Sequence, residues 1–364
     1  MKKIILTAGG TGGHLFPAIA LGEELMKCQQ VETYLVTDFR CKKLLPKDLK
    51  IPTHFINIHL KMDNIFNKLK SMFYLSSACI KALFLVFKLK PNLVIGFGGY
   101  PSLPILLAAQ VLRIPIIIHE QNCFIGKINR FFANYAKVVA LSSPITYNAK
   151  QLDQSKIIIT GNMVRKNISE LEYIYNANSN DFTILIMGGS QGAKIFTDIM
   201  PDVIRHLLKL NSNLKLNIIQ LVNIKDKENL ELIYENLGVK YELAEFFHNM
   251  PEIYSKANLV ISRSGAGTIT ELSYLGIPAI YIPFPYASDD HQYLNAKYIE
   301  EIKGGWCFRQ ENITAEILTQ EIYKLINDRQ LLTNASQNLL QNSNKNSAKH
   351  LTDTVFKLIN VISN

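Results

Sequence analysis

Residues 2–27 read KKIILTAGGTGGHLFPAIALGEELMK, a short apolar run followed by four glycines around a threonine, a histidine and a helix-like segment. This order is typical of a parallel α/β fold, in which a strand enters a helix through a glycine loop. Residues 258–272, NLVISRSGAGTITEL, repeat the arrangement in the second half. Backbone N–H groups at a helix start bind anions, so the two junctions predict two phosphate-binding sites and an enzyme that joins two phosphorylated substrates.

Length and charge favour two domains with different partners. A chain of 364 residues with 48% apolar and 19% charged residues is globular and too long for one ordinary core. Residues 1–165 carry a net charge of +13 and residues 166–364 a net charge of −4. The basic half suits anionic lipid or a phosphorylated substrate. Nucleic acid is not expected as a partner, because no nucleic-acid-binding motif accompanies the charge.

The five cysteines are scattered and form no CxxC pair. This pattern predicts a reducing compartment, without a disulfide framework or a zinc site. Asp289 and Asp290 are adjacent rather than spaced, which favours solvated carboxylates over a metal pair. No metal and no cofactor are therefore expected, and the N-terminus does not resemble a signal peptide.

Apolar runs alternate with helix-like runs, which predicts a doubly wound parallel sheet in each half. Residues 161–181 are weakly patterned and are expected to connect the halves, while Asn334–Asn346 is asparagine-rich and is expected to be a surface connection. The predicted strands are Lys3–Thr7, Thr33–Thr37, Leu93–Gly96, Ile116–His119, Val138–Leu141, Ile157–Ile159, Thr183–Met187, Leu216–Leu221, Tyr241–Ala244, Leu259–Ser262 and Ala279–Ile282.

Residues 60–90 form an apolar, lysine-rich segment. Its longest charge-free run, Ser71–Ile80, is too short to span a bilayer, so a basic amphipathic helix lying on anionic lipid is one interpretation. The alternative is a core-facing helix pair with a solvated lysine edge, which we favour for Ala82–Leu89 alone. The residues expected to contact the membrane are Ile65, Phe66, Leu69, Met72 and Phe73, with Lys68 and Lys70 beside them.

Polar clusters follow several predicted strands of the first half. His14 closes the first glycine loop, where it either takes a proton from a substrate hydroxyl or merely caps the helix. GFGGY over residues 96–100 lies at the carboxyl edge of the sheet, where open α/β folds bind ligands. HEQN over residues 119–122 is either part of a site or a structural hydrogen-bond network.

The second half offers groups suited to a nucleotide sugar. GGSQGAK over residues 188–194 presents backbone N–H groups, Arg263 suits a diphosphate, and Glu271 suits ribose hydroxyls. His291, Gln292 and Asn295 are neutral polar groups that suit sugar hydroxyls. A nicotinamide or flavin protein is disfavoured, because GGTGGH is not the G-x-G-x-x-G fingerprint and no acidic residue cleanly ends the next strand.

Seven motifs in order, GGTGGHLFPA, GFGGYPS, HEQN, GNMVR, GGSQGA, SRSGAGTITE and DDHQYLNA, resemble the MurG family. These peripheral-membrane N-acetylglucosaminyltransferases convert lipid I to lipid II at the cytoplasmic face of the bacterial inner membrane. The resemblance covers nearly the whole chain and implies a GT-B fold of two Rossmann-like domains separated by a cleft. It implies an acceptor domain over residues 1–163, completed by a helix over 345–364, and a donor domain over 164–344.

The resemblance also implies roles for individual residues. UDP-N-acetylglucosamine is expected at Thr11, Gly12, Gly13, Asn122, Arg165, Ser190, Gln191, Phe247, Arg263, Gly265, Gly267, Thr268, Glu271, Gln292 and Asn295. Lipid I is expected at Gly9, Gly10, Gly98, Gly99 and Tyr100. The implied reaction is an inverting transfer, with His14 as the base and Glu120 or His119 as the rival candidates.

Two positions depart from the family pattern, since Met163 replaces the usual proline of GNPVR and His291 is glutamine in some relatives. Three alternatives stay open. These are another GT-B lipid glycosyltransferase such as a diacylglycerol glycosyltransferase, a UDP-N-acetylglucosamine 2-epimerase, and a non-catalytic binding subunit of a membrane assembly.

Overall fold

The computed structural model describes residues 1–58, 65–177, 181–188 and 194–360, with the side chains of residues 65–69 excepted. The strands are β1 Lys2–Thr7, β2 Val31–Thr37, β3 Thr53–Phe55, β4 Leu93–Gly96, β5 Ile116–Glu120, β6 Val138–Leu141, β7 Ile157–Ile159, β8 Phe182–Met187, β9 Leu216–Leu221, β10 Lys240–Ala244, β11 Leu259–Ser262, β12 Ala279–Tyr281 and β13 Gly305–Cys307. The α-helices are α1 Gly12–Leu25, α2 Ile65–Leu89, α3 Leu103–Val111, α4 Lys127–Ala133, α5 Lys166–Ser169, α6 Lys194–Leu210, α7 Ile224–Asn236, α8 Met250–Lys256, α9 Ala266–Leu275, α10 His291–Glu301, α11 Ala315–Asn327, α12 Arg329–Asn342 and α13 Ser347–Ile359.

The chain forms two compact units, each with its own parallel sheet. Unit 1 comprises Met1–Lys166 and Asn344–Asn364, and unit 2 comprises Asn167–Ser343. The sheet of unit 1 has the order β3-β2-β1-β4-β5-β6-β7, and that of unit 2 has the order β10-β9-β8-β11-β12-β13. All pairings are parallel. The predicted doubly wound α/β class is confirmed.

The order of strands reverses between β1 and β4 in unit 1 and between β8 and β11 in unit 2. Open α/β sheets bind ligands outside the carboxyl ends of the strands at such a reversal. The loops that follow β1, β4 and β11 carry GGTGGH, GFGGY and SRSGAG. The glycine motifs of the sequence therefore stand where each sheet is suited to hold a ligand.

Helix α13 completes the core of unit 1. Its residues Leu351, Val355, Phe356 and Ile359 are buried in one cluster with α1 and the strands β1 and β4. At the start of this C-terminal segment, the side chain of Asn344 donates a hydrogen bond to the Thr160 carbonyl, 2.7 Å away. The chain thus leaves unit 1 and returns to it at neighbouring points.

The structure differs from the sequence predictions at three elements. The prediction missed β3 and β13, each of three residues at a sheet edge. The prediction that Asn334–Asn346 is a surface connection is wrong for its first nine residues, which belong to α12. Buried Leu332, Ala335 and Leu339 give α12 a helical spacing that the asparagine-rich composition hid.

Helix α2 buries one face in the core of unit 1, where it packs against α3, and exposes the other. Ala78, Ala82 and Val86 are buried in the core that contains Val94 and Ile118. By length and composition, Lys70–Leu89 would suffice to cross a membrane, with a mean hydropathy of 1.6, contrary to what the short charge-free run suggests. Mostly buried core helices of water-soluble proteins pass the same test, whereas only 17% of this window is buried. The packed face of α2 is not available to lipid.

Candidate active site

The two glycine loops of unit 1 lie against each other. A Cβ on Gly9 would lie 2.5 Å from side-chain atoms of Pro101, and a Cβ on Gly99 would overlap the carbonyl of Gly9. Gly99 also has a φ of +77°, a conformation that favours glycine. These positions therefore need glycine for close backbone approach, and they bring Gly10, Gly98 and the exposed Tyr100 to one edge of the sheet.

His14 lies in the first turn of α1, the helix that the first loop opens. Its Nδ1 is 2.7 Å from Oε1 of Gln121. Nε2 of Gln121 is in turn 2.9 Å from Nδ1 of His119, and Nε2 of His119 is 3.2 Å from the carbonyl oxygen of Gly161. The four residues form one continuous hydrogen-bonded chain that ends at His14.

Of the rival base candidates, His119 is fully buried beside the ring of Phe97. Burial lowers the pKa of His119 to about 4, against the smaller opposing effect of the Gly161 carbonyl. At neutral pH its imidazole is therefore uncharged, and both ring nitrogens have partners within the chain.

Glu120 is also buried, and its carboxylate accepts four hydrogen bonds. Oε1 accepts from the backbone N–H and the side-chain amide of Asn122, each at 3.0 Å. Oε2 accepts from the N–H of Gly126 and from Nδ2 of Asn129, each at 2.9 Å. The carboxylate thus holds the turn between β5 and α4 in place, as the network interpretation of HEQN expected.

Helices α1 and α9, which each follow a glycine loop, begin without a side-chain cap. Thr11 precedes α1 and Gly265 precedes α9, and neither gives a side-chain hydrogen bond to the helix start. The first N–H groups of a helix have no partner within it, so the N-termini of α1 and α9 are both suited to an anion. Gly12 and Gly13 lie in the first turn of α1, and Gly267 and Thr268 in that of α9. A Cβ on Gly265 would meet nothing within 4 Å.

Arg263 occupies a half-buried position at the end of β11. Its guanidinium donates hydrogen bonds to the carbonyls of Ile282 and Pro283, each at 2.9 Å, and to Oε1 of Gln310 at 2.6 Å. Burial lowers the pKa of Arg263 to about 10. The side chain ties the ends of β11 and β12 together, a role that the sequence prediction did not include.

The other side chains expected at the nucleotide sugar lie in three places: Glu271 in α9, Gln292 and Asn295 in α10, and Phe247 between β10 and α8. Glu271 accepts a 2.9 Å hydrogen bond from the hydroxyl of Tyr254, and Phe247 is buried. The amide of Asn295 donates to the Ser264 carbonyl, while Oε1 of Gln292 accepts from the N–H of Phe284. The Asn295 contact, together with a 2.7 Å hydrogen bond from the Ser264 hydroxyl to the Gln292 carbonyl, holds the start of α10 against the SRSGAG turn.

The remaining predicted residues are placed as follows. In unit 1 the guanidinium of Arg165 lies 5.2 Å from the ring centre of Phe16, in the helix that carries His14. Met163, which replaces the family's proline, is buried in the same core cluster as α1. Ser190 and Gln191 lie outside the described residues.

Helix α2 carries an exposed apolar face. Its members are Met72, Phe73, Ile80, Leu83, Phe84 and Phe87, with Phe73, Ile80 and Phe84 each about 70% exposed. The spacing of 7, 4 and 3 residues from Phe73 to Phe87 places them on one side of the helix. Exposed Lys70, Lys81 and Lys88 form a row along its flank. Ala82–Leu89 is therefore not wholly core-facing. The side chains of Ile65, Phe66, Lys68 and Leu69 lie outside the described residues.

Sequence reasoning missed four residues of these networks, namely Gln121, Asn129, Tyr254 and Gln310. Gln121 stood inside HEQN and carried a signal, because a polar residue after a buried strand needs partners. Asn129, Tyr254 and Gln310 gave no local signal, since each reaches a partner 9 to 47 residues away along the chain.

Comparison with known proteins identifies the family. The glycosyltransferase family 28 N-terminal domain matches residues 4–141, and the family 28 C-terminal domain matches residues 183–352. A crystal structure of MurG from Acinetobacter baumannii is similar to the chain with a TM-score of 0.79 and 31% identity, covering 98% of this chain and 100% of that one. The chain belongs to the MurG family of glycosyltransferases. The recognition from sequence motifs and the expected GT-B fold are confirmed.

Two relatives have a higher sequence identity to this chain than that structure has. A protein of Rickettsia prowazekii (strain Madrid E) is 46% identical over 98% of this chain and 100% of its own length. One of Rickettsia canadensis (strain McKiel) is 47% identical over 99% of this chain and 100% of its own. Both are named UDP-N-acetylglucosamine--N-acetylmuramyl-(pentapeptide) pyrophosphoryl-undecaprenol N-acetylglucosamine transferase. A UDP-GlcNAc 2-epimerase from Neisseria meningitidis shares the fold at a TM-score of 0.68 but only 14% identity.

Proposed function

We propose that this chain transfers N-acetylglucosamine from UDP-N-acetylglucosamine to the 4-hydroxyl of the muramoyl residue of lipid I, giving lipid II. The observation that carries the proposal is 46–47% identity, over essentially the full length, to transferases named for these two substrates. In the reaction the muramoyl O4 bonds to the anomeric carbon, the bond from that carbon to phosphate breaks, and UDP leaves. Direct displacement inverts the anomeric centre and needs no covalent intermediate.

Unit 2 binds the donor in this proposal. The uncapped start of α9 receives the diphosphate, and a helix N-terminus stabilises the charge that develops as UDP leaves. Glu271 holds the ribose hydroxyls and Phe247 meets the uracil through its backbone. Arg263 supports the same turn, because its hydrogen bonds fix the ends of β11 and β12. Its contribution is therefore more than an ion pair with the diphosphate.

Unit 1 binds the acceptor. The diphosphate of lipid I lies at the paired loops of Gly9, Gly10, Gly98 and Gly99, where the absence of side chains allows close approach to the backbone. His14 takes the proton of the muramoyl hydroxyl. It is favoured over Glu120, whose oxygens already accept four hydrogen bonds, and over His119, whose ring is fully buried.

The membrane contact is made by α2. Its exposed apolar face inserts into the lipid headgroup region, while Lys70, Lys81 and Lys88 contact anionic headgroups. This surface extends to Phe84 and Phe87, beyond the residues expected from sequence. The enzyme is accordingly a peripheral protein of the cytoplasmic face of the bacterial inner membrane, where its lipid acceptor lies.

The deciding experiment measures transfer of labelled N-acetylglucosamine from its UDP donor to a short-chain lipid I analogue. Diacylglycerol serves as the parallel acceptor, and a third reaction contains the donor alone. We expect labelled disaccharide lipid and released UDP only with the lipid I analogue. Transfer to diacylglycerol, epimerised UDP-sugar in the donor-only reaction, or donor binding without any product would each overturn the proposal in favour of one alternative.

A further inference from the structure

In the series of hydrogen bonds that runs from Gly161 through His119 and Gln121 to His14, chemistry determines which atom donates and which accepts at each step. The carbonyl oxygen of Gly161 can only accept a hydrogen bond, so the Nε2 of His119 that faces it carries a proton. The pKa of His119 is held near 4 by burial, so the ring is neutral and its Nδ1 has a free lone pair. That lone pair must then accept from the next residue in the chain.

Gln121 supplies the donor. Its Nε2 lies 2.9 Å from Nδ1 of His119 and 3.0 Å from the carbonyl oxygen of the same residue. Two acceptors thus occupy the two N–H directions of the amide, and the oxygen must be the atom that points to His14. The reversed amide would set its oxygen against the His119 carbonyl and leave the Gly161 carbonyl facing an unprotonated nitrogen.

The amide oxygen of Gln121 accepts a hydrogen bond from Nδ1 of His14 at 2.7 Å. A neutral imidazole has one proton, so a proton held at Nδ1 leaves a lone pair at Nε2. We infer that Gln121 is a positioning residue that holds His14 in the Nδ1–H form and thereby keeps Nε2 free to accept the proton of the muramoyl hydroxyl. This inference rests on the proposed function for the identity of that hydroxyl.

His119 has a part in this arrangement that differs from the base role considered for it. A histidine that stays neutral across the physiological range presents an unchanging acceptor, and so fixes the amide of Gln121 in one orientation. The series of hydrogen bonds begins at Gly161, whose φ of +80° is a conformation suited to glycine. Asn344 and Ser347 pack close to its Cα. The proton position on His14 is therefore set from a closely packed part of unit 1.

The first test reads the tautomer directly in the full-length wild type. Long-range ¹H–¹⁵N correlation spectra of protein labelled at histidine nitrogen distinguish Nδ1–H from Nε2–H rings. The signal of His14 among the eight histidines is assigned by its loss in His14→Ala. We expect Nδ1–H for His14 and Nε2–H for His119. An Nε2–H ring at His14 in the wild type would overturn the inference without any further variant.

The second test uses Gln121→Leu and Gln121→Glu, with the exposed Gln337→Leu on α12 as the matched control. Loss of a hydrogen-bond partner that orients a metal-bound histidine lowers activity roughly 10- to 100-fold. By analogy we expect Gln121→Leu to reduce kcat by about that factor, with the KM for the donor unchanged. The Nδ1–H preference of His14 should vanish in this variant. In Gln121→Glu one side-chain oxygen still accepts from Nδ1 of His14, so the Nδ1–H form of His14 should be kept. The other oxygen meets Nδ1 and the carbonyl oxygen of His119, two acceptors, so this variant should melt at a lower temperature than the wild type.

The outcomes separate this inference from the proposed function. Wild-type protein that shows no transfer to the lipid I analogue overturns the function, while the spectrum still decides the state of His14. Wild-type transfer with an unchanged tautomer and unchanged kcat in Gln121→Leu overturns the inference and leaves the function standing. An Nε2–H ring at His14 in Gln121→Glu would also overturn it, because an acceptor facing Nδ1 of His14 would then not determine the tautomer.

Discussion

Replacing Glu120 by glutamine separates a base from a structural carboxylate. The carboxylate accepts two hydrogen bonds at each oxygen. The amide of Glu120→Gln keeps one oxygen and turns the other into a donor, so two of the four partners would face an N–H group. A buried hydrogen bond to a charged group contributes about 1.5–3 kcal/mol, which predicts a loss of about 3–6 kcal/mol in the free energy of unfolding.

Such a loss is a large part of the total stability of a typical domain. A domain of this size shifts its melting temperature by roughly 2–4 °C per kcal/mol, so we expect unit 1 to melt on the order of 10 °C lower in Glu120→Gln. The assay is calorimetry of wild type and variant, with kcat measured well below both transitions. The exposed Glu252→Gln, which removes a carboxylate paired only at the surface, is the matched control and should melt as the wild type does.

The opposite pattern would refute this reasoning. If Glu120→Gln melts like the wild type but loses turnover at every temperature, the carboxylate acts in the chemistry and the structural assignment is wrong. A lowered melting temperature with turnover largely kept at low temperature supports the structural role.

Three further predictions concern the base, the membrane face and the buried histidine. His14→Ala should lower kcat roughly 100- to 10,000-fold with little change in donor KM, because general-base catalysis contributes about that much. Phe84→Ser with Phe87→Ser should weaken sedimentation with anionic vesicles on the order of 100-fold, since two mostly exposed rings would no longer enter lipid. His119 has a folded pKa of about 4 against 6.5 unfolded, so the unfolded chain binds more protons between these values and stability falls as pH drops through that window. The fall attributable to His119 is about 3 kcal/mol, and urea unfolding of wild type and His119→Gln at several pH values measures it.

Each of these predictions has its own control. Retained turnover in His14→Ala, shown by steady-state kinetics, would remove that residue from the mechanism. Ile174→Ser changes a 91% exposed apolar residue of unit 2 and should leave vesicle binding unchanged, so equal weakening in both variants would contradict the role of α2. Unfolding free energies of wild type and His119→Gln that run parallel from pH 7 to pH 4 would contradict the depressed pKa of His119.

The sequence predicted what local patterns encode. Continuous apolar runs predicted the strands β1, β4 and β11. The glycine motifs after these runs predicted glycine loops at the carboxyl edge of each sheet. Edge strands β3 and β13 were missed because three residues hold too few positions for a period to show. The hydrogen bonds that tie down Arg263 and orient His14 join residues 47 and 107 positions apart, respectively, so only the folded sheet brings them together.

Helix α2 illustrates a different limit. The lysines and apolar residues of 60–90 indicated an amphipathic helix, yet the direction of its faces depended on which side meets the core of unit 1. Ala78, Ala82 and Val86 lie in that core, where α2 packs against α3, and Phe84 and Phe87 therefore point outward. Composition alone favoured a core position for Ala82–Leu89. It therefore overlooked Leu83, Phe84 and Phe87, half of the exposed apolar residues of α2.

The adjacency of Thr160 and Asn344 makes unit 2 a domain insertion within unit 1. An inserted segment whose ends emerge side by side can be excised as a block, because a short linker restores the chain with little added loop entropy. A chain in which a few glycines and serines replace residues 167–343 would keep α13 on its native core. The same two junctions also define where a homologous block from another family member could be grafted. If unit 2 binds the donor as proposed, such a graft would exchange the preference for the sugar donor.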